Sequence, residues 1–399
     1  MTLLSDLCLT NRQICRSFLR SRRLQSHQIR QFSRSQPTFS QPVVGASEAE
    51  VAAARTYCTN LLSKYDRPSY TLSTFIPRNA QTLYLALRAL NVSLSLIPDT
   101  TSSYTIGLMR LQFWRDAVTK TLSGAPPKEP VAILLASAIA DLHARTQGRA
   151  RISKGWLTRL INAREQTLTN DPYPNIAALE SYAENTYSTL MYLTLSAIPM
   201  TSVTADHVAS HVGKAAGIAA VLRGLPLVAF PGPQSQHANS AGANMTGGGT
   251  KQGAVMLPLD IMAQTGVKEE EVFRQGAEAP GLRDAVFTVA TRASDHLITV
   301  QRMLSNLRAG QDVGHDFEHE GEEGHQYGDE TGYEVGGQKN ETALDEVNRA
   351  FGVFMPAVST RLWLDRLESF DFDIFRPELL GSEWKLPWKA YMAFTRKTL

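Results

Sequence analysis

Within the helix-periodic part of this chain, Glu180 with Glu184 and His207 with His211 have the four-residue spacing that places side chains on one helical face. A carboxylate pair so placed can supply half of an oxygen cage for Mg²⁺, which binds carboxylates together with substrate phosphates. An imidazole pair can give two ligands to a softer divalent ion. Both sets are incomplete. Glu180 and Glu184 have no matching pair of acids on a facing helix, with Asp99 and Asp116 the further acids that rotated helices could bring near. His207 and His211 lack an intervening glutamate and a third ligand, so a structural pair is expected. Glu184 is expected to bond to backbone, Arg115 or Arg223. Arg88, Arg110 and Arg223 stand in or beside apolar runs, and their guanidinium forks suit a phosphate or an anionic lipid head without any metal.

The elements that must hold these groups read as helices. From Val51 to Phe230 apolar residues recur at three- and four-residue intervals, with breaks at Pro68, Pro77, Pro98, Gly124 to Pro127, Pro172 and Pro199. Within Thr105 to Val118, helical spacing puts Leu108, Leu111, Phe113, Trp114 and Val118 on a buried face and Arg110, Gln112 and Asp116 toward water. The expected class is all-α, a helical bundle.

Several segments carry a resemblance. LYLALRALNVSLS (83–95), TIGLMRLQFWRDAV (105–118), PPKEPVAI (126–133), YAENTYSTLMYLTL (182–195), ADHVASHVGKAAGI (205–218), GIAAVLRGLPLV (217–228), VMLPLDI (255–261) and FDFDIF (370–375) with Pro377 follow one another in order. Together they resemble the squalene/phytoene synthase family from about Tyr57 to the C-terminus. The resemblance implies an isoprenoid-synthase-like helical bundle with two aspartate-rich metal clusters. Carried onto this chain, the first falls on Asn91, Val92 and Ser95, and the second on Ala220 and Gly224, with Val228 one turn further on. None is an acid. Without carboxylates, Mg²⁺ cannot be held to stabilise a departing diphosphate, so no catalytic, cofactor-binding or metal residue is assigned and no cofactor is expected.

Within the family the chain is most similar to a mitochondrial branch that assists assembly of respiratory complex I. That implies complex I subunits or other assembly factors as partners, peripheral contact with the matrix side of the inner membrane, and a vestigial cavity able to take a lipid or prenyl ligand. Two other readings stay open: an active Mg²⁺-dependent head-to-head prenyltransferase using Glu180 or Glu184, and a lipid-binding protein with no link to complex I.

Composition is consistent with one folded domain plus tails. The 399 residues are 43% hydrophobic and 20% charged, with a net charge of +2. Residues 1–47 contain seven arginines, many serines, no lysine and a single acid, Asp6, the composition of a disordered mitochondrial transit peptide, with Arg30 to Ser33 resembling a cleavage site. Residues 48–399 are expected to form a single domain with flexible inserts at 231–253, rich in Gly, Ser and Asn, and at 310–341, where ten acids oppose Lys339. His315, His319 and His325 in the acidic insert lack a scaffold for metal. Cys8, Cys15 and Cys58 include no Cys-x-x-Cys spacing, and loss of the first two with the presequence would leave no disulfide partner. The longest apolar run, around Val131 to Ala140, is too short to span a bilayer. The C-terminal segment, with Trp384, Lys385, Trp388, Lys389, Tyr391, Phe394, Arg396 and Lys397, reads equally as an interfacial helix or as a last helix packed on the bundle. No nucleic-acid module is recognisable.

Overall fold

Proline and side-chain caps set most of the helix starts. In the computed structural model, which describes residues 46–101, 103–200, 202–231, 253–313 and 342–399, Ser47 and Glu50 form a capping box that opens α1 (Glu48–Tyr65). Asp66 caps α2 (Arg67–Leu72), with Pro68 in its first turn. Pro77 precedes α3 (Arg78–Ser95), and Pro98 lies in the single turn α4 (Ile97–Thr100). Ser103, Glu129, Ser153 and Asn175 each accept a backbone hydrogen bond at the start of α5 (Tyr104–Leu122), α6 (Pro130–Thr146), α7 (Lys154–Gln166) and α8 (Ile176–Ala183).

After α8 the chain widens into a π turn, Glu184–Ser188, before α9 (Thr189–Leu195). Then come α10 (Thr204–Ala229), α11 (Leu259–Thr265), α12 (Glu269–Gln275) and α13 (Leu282–Arg308). The last three are α14 (Ala343–Ala350), α15 (Pro356–Ser369) and α16 (Leu386–Arg396). No strand occurs among the described residues. The fold is the all-α bundle that the periodicity predicts.

α10 is the axis of the packing. It lies against α8, the π turn, α9, α13, α14 and α15, while α1, α3 and α6 pack on one another and α5 leans on α6 and α7. Its most apolar window has a mean hydropathy of 1.5, enough by length and composition to cross a membrane, yet half of that window is buried inside the bundle, and the helix also carries Asp206, His207 and Lys214. Two glycines one turn apart let it approach α8 and the π turn. A β-carbon on Gly213 would sit 2.4 Å from the Ser188 Cα, and one on Gly217 would sit 2.5 Å from the Ala183 Cβ. This is close backbone contact that only glycine permits.

The buried face of α5 differs from the expected one. Leu111, Trp114, Ala117 and Val118 are buried and Leu108 is partly so, but Phe113 is 45% exposed, its ring edge-on to Trp114 at 5.5 Å. Helix periodicity identifies an apolar arc; how much of that arc is covered depends on the neighbours, and α6 and α7 reach only part of it.

The described ends of the two expected inserts are tied to the bundle. Ala254 donates its backbone N–H to the Val228 carbonyl over 3.3 Å, and Phe230 packs on Phe273 and Phe375 at 6.3 and 5.4 Å. On the far side of the second insert, Thr342 and Asp345 form the capping box of α14. The insert interiors, His315, His319 and His325, and the expected transit peptide with Arg30 to Ser33 lie outside the described residues.

Candidate functional site: an arginine–tyrosine cluster

Asn91 is buried on α3, and Arg164 of α7 reaches across to it, Nη2 donating to Asn91 Oδ1 over 2.7 Å. The other arm of the same guanidinium donates to the Tyr182 hydroxyl at 2.5 Å, and its centre lies 5.5 Å from the Tyr182 ring. Tyr173 packs against Tyr182 at 5.5 Å. One turn before Asn91, Arg88 donates from Nε to the Ser69 hydroxyl at 2.8 Å and pairs with Asp66 at 3.5 Å. Tyr84 closes that side, donating its hydroxyl proton to the Ser69 carbonyl at 3.1 Å. Arg223 of α10 lies 5.1 Å from the ring of Trp363 and has no ion pair or hydrogen bond among the described residues.

Tyr187 of the π turn links the three cations. It lies 6.0 Å from the Arg88 guanidinium and interacts electrostatically with Arg164 and Arg223 as well. Burial acts to lower the pKa of each arginine. For Arg88 the Asp66 carboxylate and neighbouring tyrosines outweigh it, and for Arg164 tyrosines alone do, so both end raised; Arg223 ends lowered. Burial also raises Tyr84, Tyr173 and Tyr182, which keeps them neutral phenols. The site therefore combines three guanidiniums with one carboxylate, Asp66.

The other positions assigned to metal ligands are equally bare. Val92 is buried, Ser95 donates its hydroxyl to the Val92 carbonyl, Ala220 and Val228 are partly buried, and Gly224 faces open space. Asp99 and Asp116 are exposed, the latter accepting a bond from Gln112. Among the described residues no group of three or more His, Cys, Asp or Glu could hold a metal ion. Arg110 does not join Arg88 and Arg223; it is exposed and donates to the Thr100 hydroxyl at 2.9 Å. Arg164, which the sequence reading did not single out, joins them instead.

Glu180 and Glu184 diverge. Glu184, only 3% exposed, accepts hydrogen bonds from Tyr192 and from Ser210 (2.9 Å), with Lys214 at 3.9 Å, so neither Arg115 nor Arg223 is its partner. Arg115 turns outward to Glu165 and Asn162. Glu180 faces α13, where it accepts from Arg292 and from His296 Nε2 at 2.8 Å. The same His296 meets His211 through Nδ1 at 2.9 Å, and His211 packs on His207 at 5.4 Å. For the Glu180 carboxyl, burial is the largest influence and acts upward, but the bonds from His296 and Arg292 together prevail and hold it at about 2. The histidines thus form a chain of hydrogen-bond and ring contacts across α8, α10 and α13 that ends on the Glu180–Arg292 ion pair. An open polar groove of about 660 Å³ lined by Lys154, Trp156, Arg159, Asn162, Gln166 and Asn185 runs along α7.

The sequence profile of squalene/phytoene synthases matches residues 62–391. The chain belongs to the squalene/phytoene synthase family. Solved structures agree on the fold: a dehydrosqualene synthase superposes with a TM-score of 0.59 at 11% identity, covering 88% of this chain and 98% of its own. The squalene synthase HpnC from Alicyclobacillus acidocaldarius gives 0.53 at 13% identity, covering 83% and 99%. Curated relatives are more similar in sequence. The rat protein named NADH dehydrogenase (ubiquinone) complex I, assembly factor 6 is 33% identical over 355 residues, 89% of this chain and 86% of its own. The human protein of that name is 32% identical over 342 residues, 86% and 82%. A Drosophila melanogaster homologue of the same name is 27% identical over 341 residues, 84% and 83%. In this squalene/phytoene synthase member, a cationic side chain is hydrogen-bonded to Asn91, the first position onto which the sequence resemblance carries a metal ligand.

Proposed function

We propose that this protein is a non-catalytic member of the squalene/phytoene synthase family that assists assembly of mitochondrial respiratory complex I. In this reading residues 1–47 direct import, and the folded part acts on an early membrane-associated intermediate at the matrix face of the inner membrane. The observation that carries the loss of catalysis is the Arg164 to Asn91 hydrogen bond. A divalent ion beside it would meet a fixed positive charge and neutral amide, alkyl and hydroxyl groups, so Mg²⁺ and its diphosphate chemistry have no foothold there. The assembly role is supported by the names of the relatives, whose similarity runs over most of both chains. Partners are then complex I subunits or other assembly factors.

The test has two arms. Cells lacking the gene should show depleted complex I on native gels, restored by the wild-type chain; normal complex I in those cells sinks the assembly role. The purified protein should release no diphosphate from farnesyl or geranylgeranyl diphosphate with Mg²⁺. Turnover that disappears on Glu180→Gln or Glu184→Gln substitution would instead establish a prenyltransferase.

A further inference from the structure

α16 carries three stripes with different tasks. Leu386 and Ala390 are buried, and Phe394 packs on Phe75 at 5.2 Å, which fixes the helix to the bundle. On the outer side are Trp388 and Tyr391, 66% and 55% exposed with their rings stacked at 6.3 Å, and Trp384, 80% exposed in the turn that leads into the helix. Lys385 and Lys389, both exposed, run between these two stripes. From residue 380 onward there are four cations, Lys385, Lys389, Arg396 and Lys397, and one acid, Glu383, which is engaged by Arg366 at 3.0 Å.

The basic stripe borders a pocket of about 200 Å³ between α13, α15 and α16, lined by Leu297, Val358, Leu362, Arg361, Asp365 and Lys389 among others. Arg361 holds Nε and Nη2 there, buried and without a hydrogen-bond partner. Asp365, one turn along α15, interacts electrostatically with both Arg361 and Lys389 but gives the two Arg361 nitrogens no hydrogen bond, and the Leu399 carbonyl on the pocket rim accepts from Gln301 at 2.8 Å. Buried guanidinium nitrogens without acceptors are costly, and a phosphate oxygen is the acceptor that suits their planar fork.

We propose that the outer face of α16 and the pocket at its basic edge dock on an anionic phospholipid bilayer. The aromatic stripe lies at headgroup depth, Lys385 and Lys389 meet lipid phosphates, and one phosphate reaches Arg361. Trp and Tyr rings favour the headgroup layer because one end is apolar and the other polar. Lysine beside them favours a lipid over a protein partner, since protein interfaces enrich aromatics and arginine but are depleted in lysine. At 11 residues the helix is about 16 Å long, so it lies in the surface and cannot cross it. This docking rests on the membrane placement proposed above only in naming which bilayer is met.

Flotation of the full chain with vesicles of phosphatidylcholine, with and without phosphatidylglycerol, tests the docking. The wild-type chain should float with the anionic vesicles, Trp384→Ser/Trp388→Ser/Tyr391→Ser should bind at least tenfold more weakly, and Arg361→Gln severalfold more weakly. Lys385→Gln/Lys389→Gln, which removes both charges without placing a second acid beside Asp365, should lose the preference for anionic lipid while melting close to the wild type. Brominated acyl chains should quench tryptophan fluorescence in the wild type and not in Trp384→Phe/Trp388→Phe. Flotation of the triple variant equal to that of the wild type overturns the proposal. So does saturable binding of inorganic phosphate at Arg361 with no wild-type flotation, which would mark a site for a soluble ligand. Complex I levels are scored separately: normal complex I in the deletion strain removes the assembly role and leaves the flotation result standing.

Discussion

Arg164 holds Asn91 across 73 residues of sequence, a 2.7 Å hydrogen bond that ties α7 to α3. Because the same guanidinium also serves Tyr182, one side chain satisfies two polar groups from separate helices. Replacing it with leucine should cost about 1–3 kcal/mol for each buried polar group left unsatisfied, read from urea unfolding. Addition of MgCl₂ should leave the wild-type melting temperature unchanged. A site occupied at a hundred times its dissociation constant would add about 2.7 kcal/mol, and such a rise would contradict the non-catalytic reading.

Glu180 makes stability depend on acid pH. Its folded pKa is lowered from 4.5 to about 2, so between those values the unfolded chain binds more protons. The stabilisation is complete above 4.5 and is lost as pH falls through the window toward 2. Glu180→Gln should lower stability at neutral pH and flatten the slope in that window, measured by thermal melts across a pH series.

Gly213 and Gly224, both on α10, should respond oppositely to alanine. At Gly213 the added carbon meets the Ser188 backbone, and overpacking of this kind costs about 1–3 kcal/mol. At Gly224 it meets nothing within 4 Å, and the better helix former should gain up to about 1 kcal/mol. Denaturation midpoints of the two single variants decide this, and equal losses would contradict the packing described for α10.

Cys58 should be unreactive in the folded chain. Burial, with a smaller contribution from Glu129, pushes its thiol up to about 12, which leaves almost no thiolate at pH 8. In a Cys8→Ser/Cys15→Ser background a maleimide should label it only after denaturant is added. Rapid native labelling would show that α1 opens.

The helix boundaries were legible where proline fixed them, as at Pro68 and Pro77, because that effect is local. The exposure of Phe113 was not, since it depends on which neighbours arrive. Arg164 and His296 escaped notice for a related reason: their partners, Asn91 and Glu180, lie 73 and 116 residues away. The tyrosines at 173, 182 and 187 were the available hint of a cation-lined interior. The π turn leaves no compositional mark, so the divergence of Glu180 from Glu184 required coordinates.

The bond between Ala254 and Val228 has an evolutionary corollary. Because the bundle itself pins both margins of the 232–252 stretch, this stretch can lengthen or shorten between species at small entropic expense. Length drift there should leave the scaffold intact, making it the natural place to graft an epitope or reporter.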